Sequence, residues 1–308
     1  MEKVLVVVGP TGIGKTKMSI ELAKYLDSEV INGDAFQVYK EMNIGTAKVT
    51  EEEKQNIVHH LFDIVEIDQT FSVQEYQKLC REKIREINNK GKIPVIVGGT
   101  GLYLKAALFD YVFIEEEKQV DMSSFENMSN YNLHKYLKEI DPESAETIHQ
   151  NNRKRVLRAI EIYLANGEKK SALEQNQEHK LLYNALFIGL ETDRETLYQR
   201  CDTRVDKMIK NGLLEEVKKI YLSHHFKENL TSVQAIGYKE LFEYFDNKML
   251  LNDAIDLIKQ RTRNYVKRQY TWFKNQMDVH WYDIMEKTFK ETVFKDVENF
   301  LKGELNEN

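Results

Sequence analysis

Cysteine is nearly missing from the 308 residues, which hold only Cys80 and Cys201. The two lie far apart with no C-x-x-C spacing, which excludes a disulfide framework and a cysteine zinc site and leaves two buried, idle thiols. Proline numbers 3 and glycine 14, too few for a collagen-like or disordered chain. With 42% apolar and 31% charged residues, the composition suits a folded soluble chain of one large domain or two ordinary ones. No apolar run approaches the roughly 20 residues of a membrane span, and the run from Val4 to Val8 is too short even for a signal-peptide core. A cytoplasmic protein with no membrane partner is expected. Positive charge is not in excess either. A net charge of −6 excludes a chain that is basic all over, so any nucleic-acid binding must come from a local patch.

What is present is an alternation of strands and helices. Val4-Leu5-Val6-Val7-Val8, bounded by Gly9-Pro10, reads as a strand buried on both faces of a parallel sheet, with a helix over 15–26 behind it. Further strands are expected at 29–32, 62–65 and 93–97. The capping box Ser72-Val73-Gln74-Glu75 opens a helix that runs to about Asn89. From 112 to 183 the signals are helical only, including Asp141-Pro142 as an N-cap with proline at the first helical position. A strand returns at 185–190, and Thr192-Asp193-Arg194-Glu195 forms another capping box. The stretch 231–275 is mostly helical, and a last surface helix follows Thr288. This predicts an α/β fold, a P-loop NTPase-like parallel sheet flanked by helices. Residues 1–111 and 184–308 form its core with C-terminal helices, and 112–183 form a helical insertion.

Gly9-Pro10-Thr11-Gly12-Ile13-Gly14-Lys15-Thr16 fits G-x-x-x-x-G-K-[ST] and sits between a buried strand and a helix, where such a loop must sit. Its amides and the helix N-terminus face an anion, Lys15 adds a point charge, and Thr16 offers a hydroxyl to Mg²⁺. The ligand is a di- or triphosphate, which also admits ATP. Two features argue against an energy-coupling NTPase: the strand at 93–97 ends in Gly98-Gly99-Thr100 with no acid, and no N-K-x-D is present. Asp34 follows the second strand and shares the crevice at the carboxyl ends of the strands. It is placed to act on a second substrate, or, more plainly, to cap a turn. Gly98-Gly99-Thr100-Gly101-Leu102-Tyr103 reaches the same edge, where Thr100 can bond a ligand or form an ordinary strand-to-helix turn.

The residues from Gly9 to Thr16, Asn32-Gly33-Asp34-Ala35-Phe36-Gln37-Val38-Tyr39, Met42-Asn43-Ile44-Gly45-Thr46-Ala47-Lys48, His60-Leu61-Phe62-Asp63 and Gly98 to Tyr103 together resemble the tRNA dimethylallyltransferases. The resemblance continues in Asn152-Arg153-Lys154-Arg155-Val156-Leu157-Arg158-Ala159, Arg204 to Met208 with Gly212-Leu213, Gln234-Ala235-Ile236-Gly237-Tyr238-Lys239 and Lys267 to Phe273, and so covers nearly the whole chain. The eukaryotic zinc finger is not seen, so the bacterial form is implied. The resemblance implies transfer of a dimethylallyl group from dimethylallyl diphosphate to N6 of the adenosine 3′ of the anticodon. It further implies Mg²⁺ as cofactor, the tRNA anticodon stem-loop as partner, and a monomer. Asp34 would accept the N6 proton and Arg204 would bind the diphosphate, while Thr16 and Thr100 would position the reacting groups. Contact with tRNA is implied for Asp34, Ala35, Phe36, Gln37, Thr100, Gln234, Gly237, Tyr238, Lys239, Gln269 and Trp272, and contact with the anticodon arm for the insertion at 112–183.

Two basic stretches add to this reading on their own. Arg153, Lys154, Arg155 and Arg158 crowd six residues, and 259–274 holds six Lys/Arg, Arg263, Lys267 and Arg268 among them, with Tyr265, Tyr270, Trp272 and Phe273 and no acid. Such segments suit phosphate contact with base stacking, or, more plainly, solvated helix faces whose aromatics are core. The pairs His59-His60 and His224-His225 are expected to be structural, and the methionines core fillers. The competing readings are an ATP-dependent small-molecule kinase, an isopentenyltransferase acting on free adenine nucleotides, and a nucleotide-driven RNA-binding switch.

Overall fold

The valine-rich first segment is strand β1 (Lys3–Val8), whose residues Val4 to Val8 are fully buried. The computed structural model describes residues 1–114, 118–175, 177–223 and 230–304. The chain divides into two compact units, Met1–Leu108 with Leu182–Asn308, and Phe109–Leu181.

In the first unit β1 is followed by α1 (Lys15–Tyr25), β2 (Val30–Asn32), α2 (Glu51–Lys54), β3 (His59–His60), α3 (Val73–Asn89), β4 (Val95–Val97) and α4 (Gly101–Leu108). After the second unit come β5 (Asn184–Glu191), α10 (Arg194–Lys210), α11 (Leu213–Ser223), α12 (Tyr238–Phe245), α13 (Leu251–Gln276), β6 (His280–Asp283) and α14 (Phe289–Lys302). The sheet has six strands in the order β3-β2-β4-β1-β5-β6. All pairings are parallel, with Leu5 beside Val95 and Leu186. β1 and β4 are central and nearly all β-branched, so burial on both faces needs no alternation. The ends of β1, β2 and β4 thus lie side by side, and the segments that carry Gly9 to Thr16, Asp34 and Thr100 leave from them.

Two local expectations fail, and one strand is unforeseen. Residues 62–65 are not a strand. The third strand is the shorter His59–His60, because Leu61 and Asp63 take positive φ (64° and 54°), which extended structure cannot contain. The cap of α10 is Asp193, whose carboxylate accepts the Thr196 N–H at 2.9 Å, not Thr192, whose own N–H is held at 3.2 Å by the Tyr270 phenol. β6 is not foreseen by the sequence pattern, since four residues of mixed aromatic and polar character show too little period to read. The box at Ser72 is present in both halves.

The second unit holds α5 (Ser123–Glu126), α6 (Asn130–Ile140), α7 (Pro142–Thr147), α8 (Arg153–Asn166) and α9 (Lys170–Gln175). Its edges fall at 109 and 181, against the expected 112 and 183. Leu133, Leu137, Ala145, Ile148, Val156, Ala159 and Ile160 form its own small core. Buried Asp141 accepts the Ser144 and Ser171 N–H groups (3.1 and 3.0 Å) and the Ser171 hydroxyl (2.6 Å), joining α7 to α9. Burial alone would raise its pKa, but these bonds outweigh it and hold the carboxyl below its usual range.

Candidate active site

Between β1 and α1 the loop from Gly9 to Thr16 turns through Gly9, Gly12 and Gly14, all at positive φ. Gly14 is the N-cap of α1 with φ 109° and offers no side-chain cap, so the first amides of α1 are free to meet an anion. The Lys15 ammonium donates to the Pro10 carbonyl at 2.9 Å. Burial and the neighbouring Arg204 push Lys15 down to about 8, with Asp34 opposing. Arg204, from α10, is likewise lowered by burial and sustained by Asp34.

Asp34 divides its work between its two oxygens. Oδ1 accepts the N–H of Phe36 at 2.9 Å and of Gln37 at 3.4 Å, so the turn-cap reading holds for that atom. Oδ2 has no protein partner among the described residues. The fully buried Asn32 sets the direction of this turn: its Oδ1 accepts the Asp34 N–H at 2.9 Å, and its amide donates to the carbonyls of Asp34 and Leu61. Thr100 accepts the Ala35 N–H at 3.0 Å. It therefore braces the Asp34 turn from β4.

Three cavities meet here, and Arg204 borders all of them. A cleft of about 640 Å³ runs along Gly12, Gly14, Lys15, Thr16, Arg200, Thr203, Arg204 and Lys207 and has no carboxylate in its lining. A space of about 70 Å³ is bordered by Thr11, Lys15, Thr16, Asp34, Gln37, Thr46, Gly98, Gly99 and Tyr265. A third cavity of about 300 Å³ is largely apolar, lined by Phe36, Val205, Met208, Leu213, Ile236, Ile258 and Tyr265, with Thr11, Asp34, Gln234, Gly237 and Arg268 as its polar edge. This apolar cavity is the feature that the sequence does not announce. Its one local signal is Val205 and Met208, three residues apart and on the same helix as Arg204; Met208 borders the cavity rather than filling core.

Several residues expected at a tRNA surface are engaged elsewhere. Gln269 is buried; its Oε1 accepts the Thr11 N–H at 2.9 Å and its amide donates to the Gly99 carbonyl at 3.0 Å, tying the phosphate loop to the turn after β4. Gln37 donates to the carbonyls of Thr46 (3.0 Å) and Ala47 (3.4 Å). The Tyr238 phenol donates to Glu216 at 2.6 Å. The Trp272 ring lies so close to Gly101 that a Cβ there would stand 2.1 Å from it. Phe273 is fully buried, and the half-buried Tyr270 ring packs beside Trp281 and Lys274 while its hydroxyl reaches Thr192. Arg153 donates to the carbonyls of Phe125, Glu126 and Met128 at 2.6 to 2.9 Å, which makes it the tie at the end of α5. Arg158 pairs with Glu161 at 2.8 Å, while Lys154 and Arg155 are exposed.

On α13, Lys259, Arg261, Arg263 and Lys274 pair with Asp206, Glu240, Asp202 and Glu191. Lys267 and Arg268 are exposed and have no ion pair among the described residues, with Arg268 over the Tyr265 ring at 5.7 Å. Lys239 reaches Gln234 at 3.5 Å. His59 meets the Ile57 carbonyl and His60 meets Glu29; His224-His225 lies outside the described residues. Both cysteines are buried and free, and burial pushes Cys201 up to about 11 and Cys80 up to about 12.

Thr16 and Asp34 put two oxygen donors on the same small cavity as the phosphate loop. Among the described residues no group of three His, Cys, Asp or Glu could hold a metal by itself. A cation that takes one or two protein oxygens and completes its shell with water and substrate phosphates, as Mg²⁺ does, fits that donor set.

A family model described as IPP transferase matches residues 37–276. A tRNA dimethylallyltransferase of Anoxybacillus flavithermus is 48% identical over 305 residues, covering 99% of this chain and 97% of that one. Among solved structures, the tRNA isopentenylpyrophosphate transferase of Bacillus halodurans matches with a TM-score of 0.74 at 42% identity, over 99% of this chain and 97% of its own. A eukaryotic dimethylallyltransferase acting on tRNA matches with a TM-score of 0.85 at 31% identity, over 98% of this chain and 80% of its own. With a parallel sheet, a glycine-rich loop between β1 and α1 and likeness along nearly its whole length, the chain belongs to the IPP transferase family.

Proposed function

We propose that this enzyme transfers the dimethylallyl group of dimethylallyl diphosphate to N6 of the adenosine 3′ of a tRNA anticodon. The observation that carries this reading is the meeting of an anion-binding loop and an apolar cavity at Asp34 and Arg204. An allylic diphosphate has those two ends, and its reacting carbon lies where they join. A kinase would need no apolar cavity of this size beside the loop.

In this reading the diphosphate lies on the amides of the loop, Lys15 and Arg204, and the five-carbon chain lies among Val205, Met208, Leu213 and Ile258. Thr16 would hold Mg²⁺, which, when bound, supplies charge that neutralises the leaving group. N6 attacks the first carbon of the donor, the carbon–oxygen bond breaks, and diphosphate departs. The N6 lone pair is delocalised into the ring, so nitrogen becomes a better nucleophile as its proton passes to Asp34 Oδ2. Tyr265, whose phenol is raised by burial and then by Asp34, stays protonated and can donate a hydrogen bond. An anticodon-loop base leaves its stack more readily than a paired one. Within the two basic stretches, the exposed Lys267 and Arg268, and in the second unit Lys154 and Arg155, would meet tRNA phosphates.

The test is incubation with dimethylallyl diphosphate, Mg²⁺ and unmodified tRNA, followed by digestion and mass spectrometry. An adenosine heavier by one five-carbon unit is expected. Transfer to free AMP with none to tRNA, or phosphorylation of a small molecule from ATP, would overturn the reading.

A further inference from the structure

Glu216, on α11, accepts four hydrogen bonds from outside its helix. Oε2 takes the N–H groups of Asn43 (3.1 Å) and Ile44 (2.8 Å); Oε1 takes the N–H of Gly45 (3.1 Å) and the Tyr238 phenol (2.6 Å). Bonds to an ionised acceptor are the strong kind, and three successive amides aimed at one carboxylate form a fixed nest. The fit is close: a Cβ on Gly45 would lie 2.4 Å from the Tyr238 ring, so no side chain could stand between segment and ring.

The joined pieces are also walls of the apolar cavity. Gly45 and Thr46 line it, as do Leu213, one turn before Glu216 on α11, and Gly237, next to Tyr238. Three segments distant in sequence therefore meet at one carboxylate that touches none of the reacting groups. We propose that Glu216 is a positioning residue that sets the separation of these walls and, through it, the length of prenyl chain the enzyme accepts. The proposal rests on the apolar cavity being the prenyl site. A glutamine at 216 keeps the shape but offers one acceptor oxygen and turns an NH₂ toward N–H donors. The 43–45 segment must then shift and the cavity widen.

Wild type, Glu216→Gln and Glu216→Asp are compared with dimethylallyl diphosphate and the ten-carbon geranyl diphosphate as donors to tRNA, and amide exchange is followed at Asn43, Ile44 and Gly45. The glutamine variant is expected to lose about tenfold of the preference for the shorter donor, the equivalent of one bond to a charged acceptor, through KM more than kcat. Its three amides should exchange faster, and Glu216→Asp should fall between. Faster exchange with unchanged preference overturns the specificity role, and unchanged exchange overturns the clamp as well. Should the glutamine variant not fold, Tyr238→Phe removes one of the four bonds: a smaller loss of preference supports the proposal and no loss overturns it. Wild type that transfers neither donor sinks the functional reading and the selectivity with it, while exchange still decides the clamp.

Discussion

In the proposed reaction, Asp34 is the residue at which structural and chemical roles separate by atom. Because Oδ1 holds the turn, Asp34→Asn can keep that bond and lose only the proton acceptor. Single-turnover transfer should fall about 10²- to 10⁴-fold, the usual worth of a general base, with much smaller changes in donor and tRNA affinity. A rapid-quench assay with separate binding measurements checks this, and near-normal turnover would remove Asp34 as the base. Lys15 carries the second prediction. Its pKa in the free protein is about 8, lowered by burial and Arg204, and an arriving diphosphate raises it again. Donor affinity that needs the charged form is then full below pH 8 and declines as pH rises through that value toward the higher one of the complex. Pyrophosphate competition across the neutral-to-alkaline range should show the decline, and Lys15→Arg, which stays charged, should abolish it. Lys15, Thr16, Asp34 and Arg204 are legible in the sequence because each sits in a short motif whose neighbours supply its setting. Gln269 and Arg153 are not. Whether a polar side chain is engaged by backbone depends on carbonyls and amides far away in sequence.

At the scale of elements, α13 reads in sequence as one basic surface and is two. Four of its cations face carboxylates of other elements, a pairing that sequence cannot show because the partners lie on α10, α12 and β5. Lys267 and Arg268 remain. Replacing each with Ala should weaken tRNA binding and lower the logarithmic salt slope by about 0.7 to 0.9 for every phosphate no longer neutralised. Arg263→Ala should leave the slope unchanged and lower thermal stability instead, since it strands Asp202. Equal slopes for all three variants would return α13 to a structural role. The strands with long β-branched runs read easily, as do helices with a side-chain cap such as Ser72. β3 and β6, at two and four residues, carry too little pattern, and the apolar cavity draws its lining from many elements at once.

At the scale of the whole molecule, the acidic chain concentrates positive charge beside the glycine-rich loop, where Arg200, Arg204 and Lys207 share one cleft with Lys15. A cleft of one sign raises the local concentration of an anionic substrate and speeds its capture. Arg200→Ala should therefore slow donor association at low salt, and the difference from wild type should shrink as salt rises; stopped-flow measurement at two ionic strengths decides it.

The N–H of Leu182 bonds the carbonyl of Leu108 at 2.9 Å, directly across the base of the inserted unit. To the sheet, everything from Phe109 to Leu181 is a detour that returns to its point of departure. β1 must pair with β5 over a long stretch of chain, and closing so long a loop in an unfolded chain slows folding. An insertion that collapses early on its own core, with its ends brought together, shortens that loop before the strands meet. A unit closed on its own core leaves the sheet a shorter effective loop to close, a saving that grows only slowly with the length removed.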